Sequence, residues 1–260
     1  MKWKSKCMLC LLPCLIGTIL FYIIPFFKVV YYSLLDNQFT KKFCGINNYI
    51  EIVNNKYFIL ALKNSILIIL VCVPVVIITA IYISILINKK NRLTRILSPI
   101  FILPMVIPTA AVTPIWRNFF SETSEVFPIL LLFVWKNIGI CIILISAAIN
   151  TIPINLYEAA LLDGADKKKS HQYITLPCSA PSIIFSVLIS IVNSFRIYKE
   201  SYLFYGTNYP PEHSYTLQFY MNNNFLKLDY QALSAGAIIN TIIILFVVLI
   251  MMQIQRKYSW

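Results

Sequence analysis

Six long apolar runs alternate with shorter polar intervals along this chain of 260 residues. A helix needs ~20 residues to cross a hydrocarbon core ~30 Å thick. The runs at about 8–31, 64–88, 96–116, 127–149, 179–198 and 232–254 meet that length. None shows the in–out alternation of barrel strands, and helices are the other backbone that lipid tolerates. The pattern therefore predicts an all-α integral membrane protein, one transmembrane domain over 1–260. Its longest polar intervals fall at 32–63, 150–177 and 199–231.

Composition agrees. The chain is 59% hydrophobic and only 12% charged, against roughly 25% charged in soluble domains. The first run is too long for the apolar core of a signal peptide, and no small-x-small cleavage site follows it. The net charge of +12 invites a nucleic-acid reading, but loop asymmetry explains it better. With both termini in the cytoplasm, Lys2, Lys4, Lys6, Lys89, Lys90, Arg92, Arg95, Lys167, Lys168, Lys169, Arg256 and Lys257 fall inside. Four of them share the short 88–95 turn, as the positive-inside rule expects. The lipid bilayer, not nucleic acid, is the implied surroundings, and the localisation a bacterial-type cytoplasmic membrane crossed several times.

What chemistry the chain lacks narrows its function. All ten acidic residues lie in loops or at their edges, whereas ion-coupled carriers bury carboxylates as relays. The glycines at 17, 45, 139, 164, 206 and 236 cannot form a Gly-x-x-x-x-Gly-Lys phosphate cradle. His171 and His213 stand apart, and His171 reads as a solvated loop residue. The seven cysteines, Cys7-x-x-Cys10 included, read as small apolar side chains in a reducing compartment. No catalytic constellation, cofactor site or metal site emerges. Span three carries Pro99, Pro104, Pro108 and Pro114, which predicts a bent or interrupted helix. Lys136 is expected to snorkel outward. Among polar residues inside spans, Asn137, Asn193 and Asn240 are candidates for a solute pathway, although amides also bind helices to one another.

The 150–177 interval carries the strongest motif. It reads Asn155-Leu-Tyr-Glu158-Ala159-Ala160-Leu-Leu-Asp163-Gly164-Ala, then Ile174-Thr-Leu176-Pro177. Asn155-x-x-Glu158 fits a capping box, and Gly164 can take positive φ to end the helix. The stretch resembles the cytoplasmic loop of ATP-binding-cassette (ABC) importer permeases, whose pattern is Glu-Ala-Ala, a Gly, then Ile-x-Leu-Pro. Further segments resemble the sugar-type branch of that family: Phe43-Cys-Gly-Ile-Asn-Asn-Tyr49, Ile115-Trp116-Arg117, Trp135-Lys136, and Leu228-Asp-Tyr230 before the last span. The chain departs from that branch in a short 118–126 link and in missing glycines around 204–211.

The resemblance implies a six-helix importer permease bundle with a coupling loop built from Glu158, Ala159, Ala160, Asp163, Gly164, Ile174, Leu176 and Pro177. It implies a second permease subunit in a heterodimer, a dimeric ATPase and an extracytoplasmic solute-binding protein as partners. ATP-Mg would sit on the partner ATPase, with no cofactor on this chain, and the solute would be a carbohydrate. The competing reading is a self-contained secondary transporter or channel for a small polar solute.

Overall fold

Proline breaks one apolar run and is carried within other helices, twice just after a π-turn. The computed structural model describes residues 11–37, 39–88, 98–120 and 126–258. The basic turn at 89–95, Lys2 to Cys10, most of the 118–126 link and the last two residues lie outside them. In chain order the helices are α1 (Leu11–Ser33), α2 (Asn47–Asn54), α3 (Lys56–Ile87), α4 (Leu103–Val106), α5 (Thr109–Phe119), α6 (Phe127–Asn150), α7 (Ile154–Leu162), α8 (Lys167–Ser194), α9 (Tyr198–Tyr205), α10 (Leu217–Leu226) and α11 (Tyr230–Tyr258). Among the described residues five are long and apolar enough to span a membrane: α1, α3, α6, α8 and α11. The bent pair around 100–119 brings the number to six when its two helices are taken as one span.

Span three is broken. Ile100–Val106 and Thr109–Phe119 meet at 99°. Ile107 and Pro108 are both extended there, with ψ of 128° and 132°. Pro108 accounts for this, since its ring drives the preceding residue out of the helical region and it offers no N–H. Elsewhere proline is absorbed. Pro25 and Pro177 each lie two residues beyond a π-turn, Ile19–Ile23 and His171–Thr175. In both, the residue before the proline donates to a carbonyl five residues back, Ile24 to Ile19 and Leu176 to His171. The wider turn relieves the clash that a proline ring makes with the carbonyl four residues earlier.

Span boundaries differ from expectation in two places. Span two starts at Lys56, eight residues early, because Asn55 caps it: its side chain accepts from the Tyr57 N–H at 2.9 Å. Span five runs from Lys167 to Ser194 rather than 179–198. The π-turn lets helix continue through Ile174-Thr-Leu-Pro177, so the second half of the expected loop is the first three turns of α8.

Contacts divide the chain into two compact units. In the first, Met1–Ile59 with Tyr220–Ile243, the Phe43–Tyr49 motif explains itself. Gly45 turns at φ +62°. Asn48 then donates to the carbonyls of Ser33 and Leu35 at 2.9 and 2.7 Å, and the Tyr49 and Ser33 hydroxyls meet at 2.7 Å. The Phe58 and Tyr220 rings pack edge to face at 5.3 Å.

In the second, Leu60–Phe219 with Ile244–Trp260, the core gathers Val76, Ala80, Leu132, Ile142 and Ile145. Serine hydroxyls cross between spans, Ser84 to the Ile142 carbonyl and Ser182 to the Leu144 carbonyl, a use of small polar residues suited to lipid. Gly139 lets α6 approach the broken span so closely that an added Cβ would lie 1.8 Å from the Phe101 carbonyl oxygen. Trp116 stacks on Trp135 at 5.8 Å and donates to the Pro128 carbonyl, joining α5 to α6. The Asn64 amide donates to the carbonyls of Glu212 and Tyr215, tying α3 to the loop before α10.

Candidate functional site

Two features of the second unit gather the chain's polar chemistry: an exposed helix at one end of α6 and α8, and a charged pocket toward their other end. The exposed helix is α7. None of its residues is buried. Tyr157 turns toward the protein, its hydroxyl 2.9 Å from that of Thr175. Ile154, Glu158, Leu161 and Leu162 recur at helical spacing and are all exposed, and Leu162 is 90% exposed. Water gains nothing from such a row of apolar side chains, and a partner surface would.

The capping box is corrected. Pro153, extended at ψ 133°, is the N-cap, and no side chain caps the helix. Asn155 therefore lies within the first turn and Glu158 does not reach back. The Glu158 carboxylate is exposed and takes no hydrogen bond or ion pair among the described residues. The helix end is as expected. Gly164 sits at φ +77°, its N–H donates to the Leu161 carbonyl at 3.1 Å, and Ala165 N–H reaches the Ala160 carbonyl at 2.9 Å. These are the two bonds of a Schellman ending. Ala159 and Asp163 are exposed and Ala160 half-buried. After the turn, Asp166 caps α8 by accepting from the Lys169 N–H at 2.7 Å. Its charge also offsets the cost of Lys167–Lys169 at a positive helix end. Ile174, Leu176 and Pro177 stand on the first turns of α8, so the motif spans two helices joined at Gly164.

Behind α7 lies a cavity of about 150 Å³ lined by Ile85, Asn88, Ile149, Tyr157, His171 and Thr175. His171 is not the solvated loop residue expected. It is half-buried on the π-turn, Nδ1 3.1 Å from the Thr175 hydroxyl. The same hydroxyl holds Tyr157 and His171 together, which fixes α7 against α8.

The second feature is a pocket of about 190 Å³ lined by Met105, Phe133, Lys136, Asn137, Asn193, Arg196, Ile197 and Glu200. Asn193 donates to the Asn137 side chain at 2.8 Å, and Asn137 donates to the Phe133 carbonyl. Two of the three expected pathway amides are thus brought together. Asn240 is not among the lining residues, and its Oδ1 is buried without a partner. Lys136 does not snorkel outward. It pairs with Glu200 at 3.3 Å, the two side chains 15% and 18% exposed. The Thr109 hydroxyl accepts from Lys136 and donates to Glu200 at 3.2 Å. This triangle joins the broken span, α6 and α9.

Lys136 and Glu200 were missed as a pair because each reads alone as a boundary residue. Lys136 lies nine residues into its span, about 13 Å along the axis, too deep to reach solvent cheaply, and that depth is the signal that a partner exists. Among the described residues no three His, Cys, Asp or Glu side chains gather to hold a metal.

Known proteins resemble this chain along nearly its whole length. A family model described as binding-protein-dependent transport system inner membrane component matches residues 73–259. The arabinooligosaccharides transport system permease protein AraP of Bacillus subtilis is 28% identical, covering 95% of this chain and 86% of its own. The trehalose/maltose transport system permease protein MalF of Thermococcus litoralis is 23% identical over 95% and 92%. The fold matches a chain in the crystal structure of a bacterial ABC transporter involved in the import of the acidic polysaccharide alginate. That match has a TM-score of 0.78 and 23% identity, and covers 99% of this chain and 96% of that one. A second structure of the alginate transporter, in complex with an alginate pentasaccharide-bound periplasmic protein, matches with the same TM-score and 22% identity, over 98% and 94%.

Proposed function

Because the chain belongs to the family of binding-protein-dependent transport system inner membrane components, non-catalytic permease subunits that cross the membrane several times, we propose that it passes a carbohydrate inward, driven by ATP hydrolysis on a separate ATPase dimer. A second permease subunit would complete the pathway in a heterodimer, ATP-Mg would bind the ATPase alone, and a solute-binding protein would deliver the sugar from outside. Both termini and α7 would face the cytoplasm, with 1–260 acting as one transmembrane domain.

The observation that carries this reading is α7. It combines an exposed apolar face, a carboxylate at Glu158 without an internal partner, and an abrupt glycine ending. A helix so placed, tied back to α8 through Tyr157 and Thr175, has the shape of a lever. The ATPase would grip Ile154, Glu158, Leu161 and Leu162, and its closure would move α8. Ala159, Ala160 and Asp163 complete the gripping segment, while Ile174, Leu176 and Pro177 form the arm that receives the motion. The sugar assignment rests on relatives named for arabinooligosaccharides and for trehalose and maltose.

The competing carrier reading gains one point and loses another. Glu200 is a partly buried acid that the sequence placed in a loop. Its charge is already matched by Lys136 at 3.3 Å, so it is not free to shuttle ions. The test is uptake into proteoliposomes holding the permease pair and ATPase. Uptake of a carbohydrate, from a panel of neutral and acidic oligosaccharides, is expected only with ATP and the binding protein present. Uptake by this chain alone, without ATP, would overturn the proposal.

A further inference from the structure

The pocket between α6 and α9 carries an uneven charge. Lys136 and Glu200 neutralise each other at 3.3 Å, but Arg196 also lines the pocket. Arg196 is exposed on its open side, and its guanidinium has no partner among the described residues. The lining therefore holds one positive charge in excess. Beside it stand two amides, of which Asn137 and Asn193 use only part of their hydrogen-bonding capacity on each other and on Phe133. Asn193 Oδ1 and amide protons on both residues remain for a ligand. Phe133, Met105 and Ile197 supply apolar surface.

We infer that this pocket is a subsite for one sugar ring bearing a carboxylate, a uronate unit. The volume of about 190 Å³ has room for a single ring. The amides supply the mixed donors and acceptors that ring hydroxyls need. The guanidinium fork takes a carboxylate in two parallel hydrogen bonds, and one excess charge matches a monoanion. A neutral sugar would leave Arg196 without a counter-charge, and a phosphate monoester would bring more charge than the pocket offsets. The inference deepens the proposed carbohydrate transport and rests on it.

The experiment is a direct titration of the purified permease–ATPase complex, without ATP or binding protein, using glucuronate, glucose and glucose 6-phosphate. Because no transport is measured, failure here is distinct from failure of the importer reading, which the uptake assay decides. Glucuronate is expected to bind at least roughly tenfold more tightly than glucose, the scale of one charge-assisted pair. Arg196→Gln should erase that preference while leaving the weak glucose affinity. Lys199→Gln, at an exposed lysine outside the pocket lining, should keep it. Should Arg196→Gln fail to assemble, Asn193→Asp, which cancels the excess charge, is expected to erase the preference too. Equal binding of glucuronate and glucose would overturn the inference. So would a preference that survives both variants, or tighter binding of glucose 6-phosphate than of glucuronate.

Discussion

Replacing Gly164 separates a coupling helix from a merely structural turn. The residue sits at φ +77°, and nothing lies within 4 Å of where a Cβ would be. A substituted side chain therefore meets no steric barrier, and the whole cost is conformational. For alanine in the left-handed region that cost is about 1–2 kcal/mol, and a β-branched valine exceeds it. The chain can escape only by unwinding the end of α7, giving up the bonds from Gly164 to Leu161 and from Ala165 to Ala160, each about 1 kcal/mol net. Strain and escape thus cost similar amounts. A penalty of that size shifts the ordered helix end against frayed forms by a factor of roughly 5–30. Because α7 contributes no buried residue, the bundle itself stays folded. Gly164→Val is expected at normal membrane level, with ATPase co-purification and uptake reduced several-fold. Gly164→Ala should fall between. Gly164→Asn should recover most of the loss, because asparagine tolerates the left-handed region. Normal uptake by the valine variant, or an asparagine variant no better than valine, would refute the reasoning.

Three other substitutions probe separate parts of the account. Glu158→Ala removes a carboxylate that caps nothing, so thermal stability should change by less than about 0.5 kcal/mol while uptake and ATPase co-purification fall. Gly139→Ala places a methyl 1.8 Å from the Phe101 carbonyl oxygen; overpacking of about 1–3 kcal/mol or more should lower the membrane level and melting temperature of the complex. Glu200→Gln leaves Lys136 without a counter-charge, and partial exposure of 15% and 18% should hold the loss to about 2 kcal/mol, below the ~3–5 kcal/mol of a fully buried pair. The Lys136→Met/Glu200→Leu double variant should regain part of that stability in a thermal melt.

The hydrophobic pattern was enough to locate the long apolar helices, because lipid demands ~20 apolar residues and little else does, but not the starts of the second and fifth, at Lys56 and Lys167. The break in span three was legible too, since four prolines fall in one run. What the pattern missed is what depends on neighbours. Helix continues into Pro177 through a π-turn at His171–Thr175, which no residue type signals on its own. Asn155 looked like a cap, but Pro153 is extended and starts the helix ahead of it. In the coupling segment, Gly164 was readable because positive φ selects glycine, while the role of Tyr157 depends on Thr175, eighteen residues away. The charged pocket was half legible: Asn137 and Asn193 stood out as amides within spans. Glu200, Thr109 and Arg196 joined them only through tertiary packing, and Asn240 lies outside the pocket lining.

The claim on which the rest depends is that the outward face of α7 meets the ATPase, and single-cysteine cross-linking tests it most directly. In a background lacking all seven native cysteines, cysteines are introduced one at a time from 154 to 162 in the assembled importer. A short thiol-reactive cross-linker then joins them to the ATPase. Cysteines at 154, 158, 161 and 162 are expected to cross-link strongly, those at 157 and 160 weakly, and the yield should change when ATP is added. Uniform or absent cross-linking along the helix, or labelling of these positions by an impermeant reagent from outside intact cells, would contradict the account.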